Sequence, residues 1–139
     1  MKRNELVTKI MSSDVAVVQE GQPLSEVRQK MCDLHIHHVP IVNGKKLVGL
    51  VSFTDLMKIN MVINGADERS IGAIIDQQFK ITDIMSSQII TIKNTETIRQ
   101  AAELLIKGHF HSLPVIDLDG NIAGIVTSTD LIRYLSDQY

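Results

Sequence analysis

Hydrophobic and polar positions in this chain follow two different periods, and the switches between them predict its secondary structure. Short β-branched runs at 15–18 and 89–92 are typical of buried strands. Apolar residues then recur at the three- and four-residue spacing of an amphipathic helix. These residues are Leu24, Val27, Met31 and Leu34 after the first run, and Ile98, Ala101, Ala102 and Leu105 after the second. Each strand is therefore predicted to lead into a helix.

Two apolar runs joined by a turn follow each predicted helix. The first pair, 39–42 and 47–51, flanks Asn43-Gly44, and the second, 113–116 and 122–126, flanks Asp119-Gly120. Asn-Gly and Asp-Gly favour tight hairpin turns. A last helix is predicted to open near Asp55 and again near Asp130, which gives the order β-α-β-β-α twice.

Local signals mark where two of the helices begin. Pro23 suits a first helical turn, where its missing N–H is not needed. Thr97 with Gln100 three residues later fits a capping box, in which each side chain accepts a bond from the other residue's backbone. Both positions directly precede a predicted apolar stripe.

The same order of motifs reflects an internal repeat that is visible in the residues themselves. Thr8–Ser13 returns as Thr82–Ser87, and His35–Val42 returns as His109–Ile116 at the same offset. After one inserted residue, Gly49–Leu56 is matched by Gly124–Leu131. Repeats of this kind define the architecture of a fold.

The repeat predicts an α+β fold of two β-α-β-β-α units packed sheet to sheet with pseudo-twofold symmetry. We expect repeat 1 over 1–65, a helical linker over 66–80 and repeat 2 over 81–139, together forming one module. A repeat of about 60 residues buries little surface by itself, so the two are expected to pack together. Clefts between such units are common places for small ligands.

The linker is expected to carry a helix of its own. Asp67 and Glu68 suit a helix N-terminus, and an apolar stripe follows at helical spacing. The stripe consists of Ile71, Ile74, Ile75 and Phe79. Two interpretations remain open: the stripe covers the protein's own core, or it forms a dimer face.

Composition narrows the possible partners. The formal net charge is −2, and the aromatic residues are three Phe and two Tyr, so no nucleic-acid footprint is visible. No apolar stretch approaches signal-peptide or membrane-span length, which favours a cytoplasmic protein without membrane contact. The single cysteine, Cys32, excludes an intrachain disulfide and fits a reducing compartment.

Three duplicated motifs resemble a known family. They are Ile-Met-Ser-Ser, His-x-His-x-x-Pro and Gly-h-h-[Ser/Thr]-x-Thr-Asp, where h is hydrophobic, in the same order and spacing in both repeats. Together they resemble a tandem CBS-domain pair, or Bateman module. The resemblance implies a stand-alone regulatory module that binds AMP, ADP, ATP or S-adenosylmethionine in clefts between the repeats and does not catalyse a reaction. It also implies a homodimer and an unknown regulated protein.

The resemblance assigns ligand contacts to particular positions. Asp55 and Asp130 would accept from ribose hydroxyls, which suits a carboxylate with several lone pairs. Hydroxyls near the last helix would face phosphate, where backbone N–H groups also favour an anion. The residues before each hairpin would border adenine, with histidines near phosphate. The hydroxyl set is Ser52, Thr54, Thr127 and Thr129, and the hairpin set is Ile36, His37, His38, Phe110 and His111.

One position departs from the family pattern. Ser112 stands where strong phosphate binders often have arginine, and His38 carries a charge for only part of the time near neutral pH. The departure predicts weak binding of polyphosphates.

Several motifs allow a purely structural interpretation. Ser52-x-x-Asp55 and Thr127-x-x-Asp130 also fit capping boxes, and Gly49 and Gly124 fit either ordinary strand positions or close approaches. His35, His37 and His38 lack the thiolates and spacing typical of zinc sites, so no metal is expected. No catalytic motif such as a Walker loop or Gly-x-Ser-x-Gly occurs. The alternative function is a ligand-free module for dimerisation and protein interaction.

Overall fold

The predicted order of elements is present in both repeats of the computed structural model, which describes residues 4–62, 68–108 and 110–139. The first repeat contains β1 (Val18–Gln19), α1 (Leu24–Leu34), β2 (His38–Asn43), β3 (Lys46–Ser52) and α2 (Phe53–Val62). Two helices follow: α3 (Glu68–Gln78) and α4 (Ile81–Ile84). The second repeat contains β4 (Ile92–Lys93), α5 (Ile98–Gly108), β5 (Ser112–Ile116), β6 (Ile122–Thr127) and α6 (Ser128–Asp137). The α+β class is confirmed.

The described strands form two three-stranded sheets with the same topology, β1-β2-β3 and β4-β5-β6. The first strand of each is parallel to the second, and the third is antiparallel to it. The predicted first strands are wrong in their bounds, because pairing with the hairpin begins only at Val18 and Ile92. The residues before them, 15–17 and 89–91, lie outside the ladders.

Contacts divide the chain into two compact units that differ from the sequence repeats. One unit combines the described residues up to Val15 with Ile90–Tyr139, and the other is Ala16–Ile89. Each repeat therefore contributes its leading segment, 4–15 in repeat 1 and 81–89 in repeat 2, to the unit that contains the sheet of the other repeat. We call these the C-terminal unit and the central unit.

Each unit has its own hydrophobic core, and the leading segment is part of it. Val7 is fully buried in the core of the C-terminal unit with Leu113, Val115 and Val126. Ile81, its repeat counterpart, is fully buried in the core of the central unit. Burial of these side chains removes apolar surface from water, the main stabilising contribution to folding.

The leading segments also explain the two strand glycines. Ser12 forms an antiparallel bridge with Ile125 on β6, and Ser86 forms one with Leu50 on β3. A Cβ on Gly124 would lie 2.7 Å from the carbonyl oxygen of Ser12, and one on Gly49 would lie 2.8 Å from Cγ of Met85. Both glycines are therefore close-approach positions, which settles the alternative that the sequence left open.

The helix in the linker packs on the core of its own unit. Ile75 on α3 is 1% exposed, and Phe79 packs against the same core. Asp76 accepts hydrogen bonds from the backbone N–H and the hydroxyl of Ser25 at 2.9 and 2.6 Å. The core interpretation of the stripe is confirmed at Ile75 and Phe79, and the dimer-face interpretation is wrong for Ile75. Asp67 and the side chain of Ile71 lie outside the described residues.

Within the ranges given above, no helix is both long and apolar enough to cross a membrane.

Candidate functional site

A capping box joins β3 to α2 in the central unit. The backbone N–H of Ser52 donates to Oδ2 of Asp55 at 2.9 Å, and the N–H of Asp55 donates to Oγ of Ser52 at 3.2 Å. These bonds satisfy backbone donors that have no partner within the helix. The carboxylate is thereby fixed at the helix N-terminus.

The C-terminal unit repeats this geometry between β6 and α6. The N–H of Thr127 donates to Oδ2 of Asp130 at 2.8 Å, and the N–H of Asp130 donates to Oγ1 of Thr127 at 3.1 Å. The capping interpretation is thus confirmed in both repeats. Each box uses Oδ2 of its carboxylate, which leaves Oδ1 for another partner.

Strand pairing brings the histidine segments to these caps. His38 lies opposite Ser52, and Ser112 lies opposite Thr127. The preceding carbonyl groups reach the first residue of each last helix: the N–H of Phe53 donates to the carbonyl of His37 at 2.7 Å, and that of Ser128 donates to the carbonyl of His111 at 2.9 Å. Hydroxyl, carboxylate and histidine residues of each predicted set are therefore neighbours within one unit.

The remaining predicted residues divide into exposed and packed positions. Thr54 and Thr129 are exposed in the first turns of α2 and α6. Ile36 and Phe110 are half-buried and pack against the cores of their units. These two apolar side chains thus contribute to packing beside the caps.

The two caps carry different neighbours. In the central unit the rings of His37 and Phe53 stack, with centroids 5.6 Å apart. The C-terminal unit has Ser128 at the position of Phe53, and Ser112 is 5% exposed. Because Ser112 is buried, its hydroxyl is not presented on the surface. His109 lies outside the described residues.

The Ile-Met-Ser-Ser motif lies beside each cap, a placement that the sequence did not reveal. Ser12 and Ile125 exchange two backbone hydrogen bonds of 2.8 and 2.9 Å, two residues before Thr127. Ser86 and Leu50 exchange two of 2.9 and 3.0 Å, two residues before Ser52. The duplication of the motif was the available signal, but duplication indicates a repeat and a family resemblance and does not show which strand the motif joins.

Two surface cavities of the C-terminal unit lie near these residues in the part of the chain that the structure describes. One, of about 280 Å³, is lined by residues that include Lys9, Asp130, Arg133 and Tyr134. The other, of about 490 Å³, lies along α5 and α6 and is lined by mostly apolar side chains, with His111 and Ser128 at one end. The first of these two cavities contains the capping carboxylate of Asp130.

The described residues contain no group of three or more His, Cys, Asp or Glu side chains arranged to hold a metal ion.

Solved structures share this fold. The CBS domain pair of protein MJ0100, in complex with 5-methylthioadenosine and S-adenosyl-L-methionine, matches with a TM-score of 0.77 and 26% identity over 96% of this chain and 98% of that one. CBSX2 from Arabidopsis thaliana, in complex with AMP, matches with a TM-score of 0.80 and 22% identity over 96% and 98%. The two matches extend over nearly the whole chain.

A longer protein contains a similar segment. Homoserine O-acetyltransferase from Methanohalobium evestigatum is 32% identical over 132 residues, which are 94% of this chain and 24% of that protein. The chain thus spans about a quarter of that relative's length. The CBS domain family model matches residues 7–61 and 81–137, so this chain belongs to the CBS domain family, with two copies of the domain.

Proposed function

We propose that this chain is a regulatory module that binds an adenosine-containing ligand at the capping carboxylates Asp55 and Asp130. The observation that carries the proposal is the duplicated capping box, in which Oδ2 holds the helix and Oδ1 has no role in the cap. The complex of the related MJ0100 domain pair with two adenosine compounds supports this ligand class. The CBSX2 complex indicates that the same fold accommodates AMP.

Each group has a chemical role in this proposal. The carboxylate oxygen that the cap does not use accepts from ribose hydroxyls, which are donors at a fixed separation. Ser52 and Thr54 in the central unit, and Thr127 and Thr129 in the C-terminal unit, offer hydroxyls to phosphate at a helix N-terminus, where the dipole favours an anion. Ile36 and His37 in one unit, and Phe110 and His111 in the other, border the base, with His37, His38 and His111 near phosphate.

The ligand is regulatory and is not an obligatory cofactor. Binding transmits a signal if the ligand has unequal affinity for two conformations or two association states of the protein. A regulated protein would recognise the favoured state. The acetyltransferase activity of the longer relative belongs to that whole protein and is not part of this proposal.

A thermal-shift panel of AMP, ADP, ATP, NAD and S-adenosylmethionine tests the proposal. A ligand at ten times its Kd stabilises the fold by about 1.4 kcal/mol, which raises the Tm by several degrees. We expect at least one compound to do so with wild type and not with the Asp55→Asn, Asp130→Asn double variant. Asparagine keeps an oxygen acceptor for each cap but loses the carboxylate charge and one acceptor oxygen.

A third capping box provides the matched control. The N–H of Thr97 donates to Gln100 Oε1 at 2.8 Å, and the N–H of Gln100 donates to Thr97 Oγ1 at 3.2 Å, so α5 begins with the same geometry. Thr97→Ala should lower stability by about 1 kcal/mol and keep the ligand shift. No shift with any compound would overturn the function, and a shift kept by the double variant would overturn the assigned residues.

A second candidate function, homodimerisation, is favoured by the apolar groove along α5 and α6. Ile106 is 74% exposed and Ile132 is 67% exposed, and both line the groove. Two copies that present this same face to each other would bury it in an isologous contact. This groove replaces the linker stripe as the candidate dimer face, because Ile75 of that stripe is buried.

Light scattering of Ile132→Glu tests this face. A charge placed in an apolar contact strongly disfavours association, so we expect the mass to fall from that of a dimer to that of a monomer. Leu118→Glu is the control, since Leu118 is 82% exposed and does not line the groove. A wild-type protein that is monomeric, or an Ile132→Glu variant that stays dimeric, excludes this interface.

A further inference from the structure

The two capping carboxylates differ at their second oxygen. Oδ1 of Asp130 lies 3.3 Å from Nη1 of Arg133, one turn along α6. The contacts of Asp55 among the described residues are those of its cap, and none of them is an ion pair. Lys58, the repeat counterpart of Arg133, is exposed. The oxygen proposed for ribose is therefore occupied in the C-terminal unit and open in the central unit.

The surroundings of Arg133 also differ from those of its counterpart. Arg133 and Lys9 both line the cavity of about 280 Å³ that contains Asp130. The position of Lys9 is taken by Asp83 in the other repeat. Nζ of Lys9 donates a hydrogen bond of 2.7 Å to Oε1 of Glu5. Glu5 also accepts a hydrogen bond from the hydroxyl of Tyr134. The guanidinium of Arg133 thus stands at the rim of a cavity with a second cation.

We propose that Arg133 determines ligand selectivity at the Asp130 site, an inference that rests on the proposed function. A ribose that binds Oδ1 of Asp130 must displace the guanidinium from it. A ligand with phosphate offers the guanidinium a new anion, with which it forms bidentate, charge-assisted hydrogen bonds. An uncharged nucleoside also displaces the guanidinium but offers it no new anion. The Asp130 site therefore selects nucleotides over nucleosides, and the Asp55 site lacks this device.

The geometry makes the exchange easy. The side chain of Arg133 is 67% exposed and that of Asp130 is 15% exposed. Ion pairs with an exposed partner contribute little to stability because solvent screens them, so the pair breaks at small cost.

Isothermal titration of AMP and adenosine tests the inference on a single site. The Asp55→Asn variant leaves the Asp130 site, and Arg133 is then changed to Gln. We expect Arg133→Gln to bind adenosine roughly 2- to 5-fold more tightly, since the competing ion pair is gone. It should bind AMP roughly 3- to 10-fold more weakly, since the phosphate loses a charged partner. Arg133→Lys, which keeps the charge without the planar fork, should fall between the two.

The matched control is Lys58→Gln in an Asp130→Asn background, where the ratio of the AMP and adenosine Kd values should not change. Thermal melting shows whether each variant is folded. Binding with an unchanged ratio in Arg133→Gln overturns the selectivity inference and leaves the proposed function intact. If the wild-type protein binds neither AMP nor adenosine but responds to another compound of the thermal-shift panel, the selectivity inference is overturned and the proposed function stands. If it responds to no compound of the panel, both are overturned.

Discussion

Single residues in this chain have roles that depend on distant neighbours. Gly124 is required because the backbone of Ser12 passes beside β6, whereas Gly49 faces the side chain of Met85. A carbonyl group in a ladder cannot move aside as a flexible side chain can. The two glycines therefore occupy matching repeat positions but should differ in how well they tolerate a larger residue.

We predict that Gly124→Ala destabilises the protein by about 1–3 kcal/mol, the usual range for overpacking, and by more than Gly49→Ala. The new methyl group would lie 2.6 Å from Sδ of Met11 and 2.7 Å from the Ser12 oxygen. Urea denaturation measures both values. Gly21→Ala is the control, since no atom lies within 4 Å of its added Cβ. Equal losses for Gly124 and Gly49 would contradict the backbone argument.

Residue-level chemistry was predictable where it is local in sequence. The boxes at Ser52, Thr97 and Thr127 were visible because their partners lie three residues away. Arg133 has the same spacing from Asp130 but was missed, since an acid and a base one turn apart on a helix surface usually form only a weak surface ion pair. Its importance comes from the carboxylate that it contacts, and this became clear from the geometry.

Helices and hairpins followed from the sequence because their periodicity is a local property. The apolar stripes of α1 and α5 and the turns at Gly44 and Gly120 were all predicted, and both glycines have the positive φ that such turns require, 65° and 84°. The element bounds that were wrong depend on tertiary contacts. The first strands are two residues long because parallel pairing with the hairpin sets their extent.

The start of α1 shows the same limit at a helix end. Pro23 was expected in the first helical turn but occupies the N-cap position just before it, and its side chain has no atom that can accept a hydrogen bond. Asp76 on α3 supplies the acceptor instead, from 51 residues away in sequence. A cap that is donated by another helix leaves no local motif in the sequence, so sequence patterns could not predict it.

At the scale of the whole molecule, two chain segments are exchanged between the repeats. The N–H of Val7 donates to the carbonyl of Glu96 at 2.9 Å, and the N–H of Ile98 donates to the carbonyl of Glu5 at 2.9 Å. The repeat was evident from the sequence, but similarity between segments does not say which sheet a segment joins. The composition of the two units therefore required the contacts.

This exchange predicts a crossed response to core truncation. Val7→Ala should raise hydrogen exchange in β5 and β6, far along the chain, more than in β2 and β3. Ile81→Ala should do the reverse. Loss of buried methyl groups costs about 2 kcal/mol or more when the site cannot collapse, and local opening reports which unit is weakened.

Each variant is the control for the other, because Val7 and Ile81 occupy matching repeat positions and are both fully buried. Exchange measured by mass spectrometry resolves the two sheets. An equal rise in both sheets for each variant would mean that the units do not open separately.

The crossing of the leading segments also bears on how such a gene can change. Loss of either repeat by a single deletion would remove one sheet and also the first segment of the unit that remains, including Val7 or Ile81. A cut at the repeat boundary therefore leaves neither unit complete, whereas the central unit is continuous in sequence as Ala16–Ile89. A deletion that keeps a whole unit must therefore begin and end inside the repeats, as removal of 16–89 would.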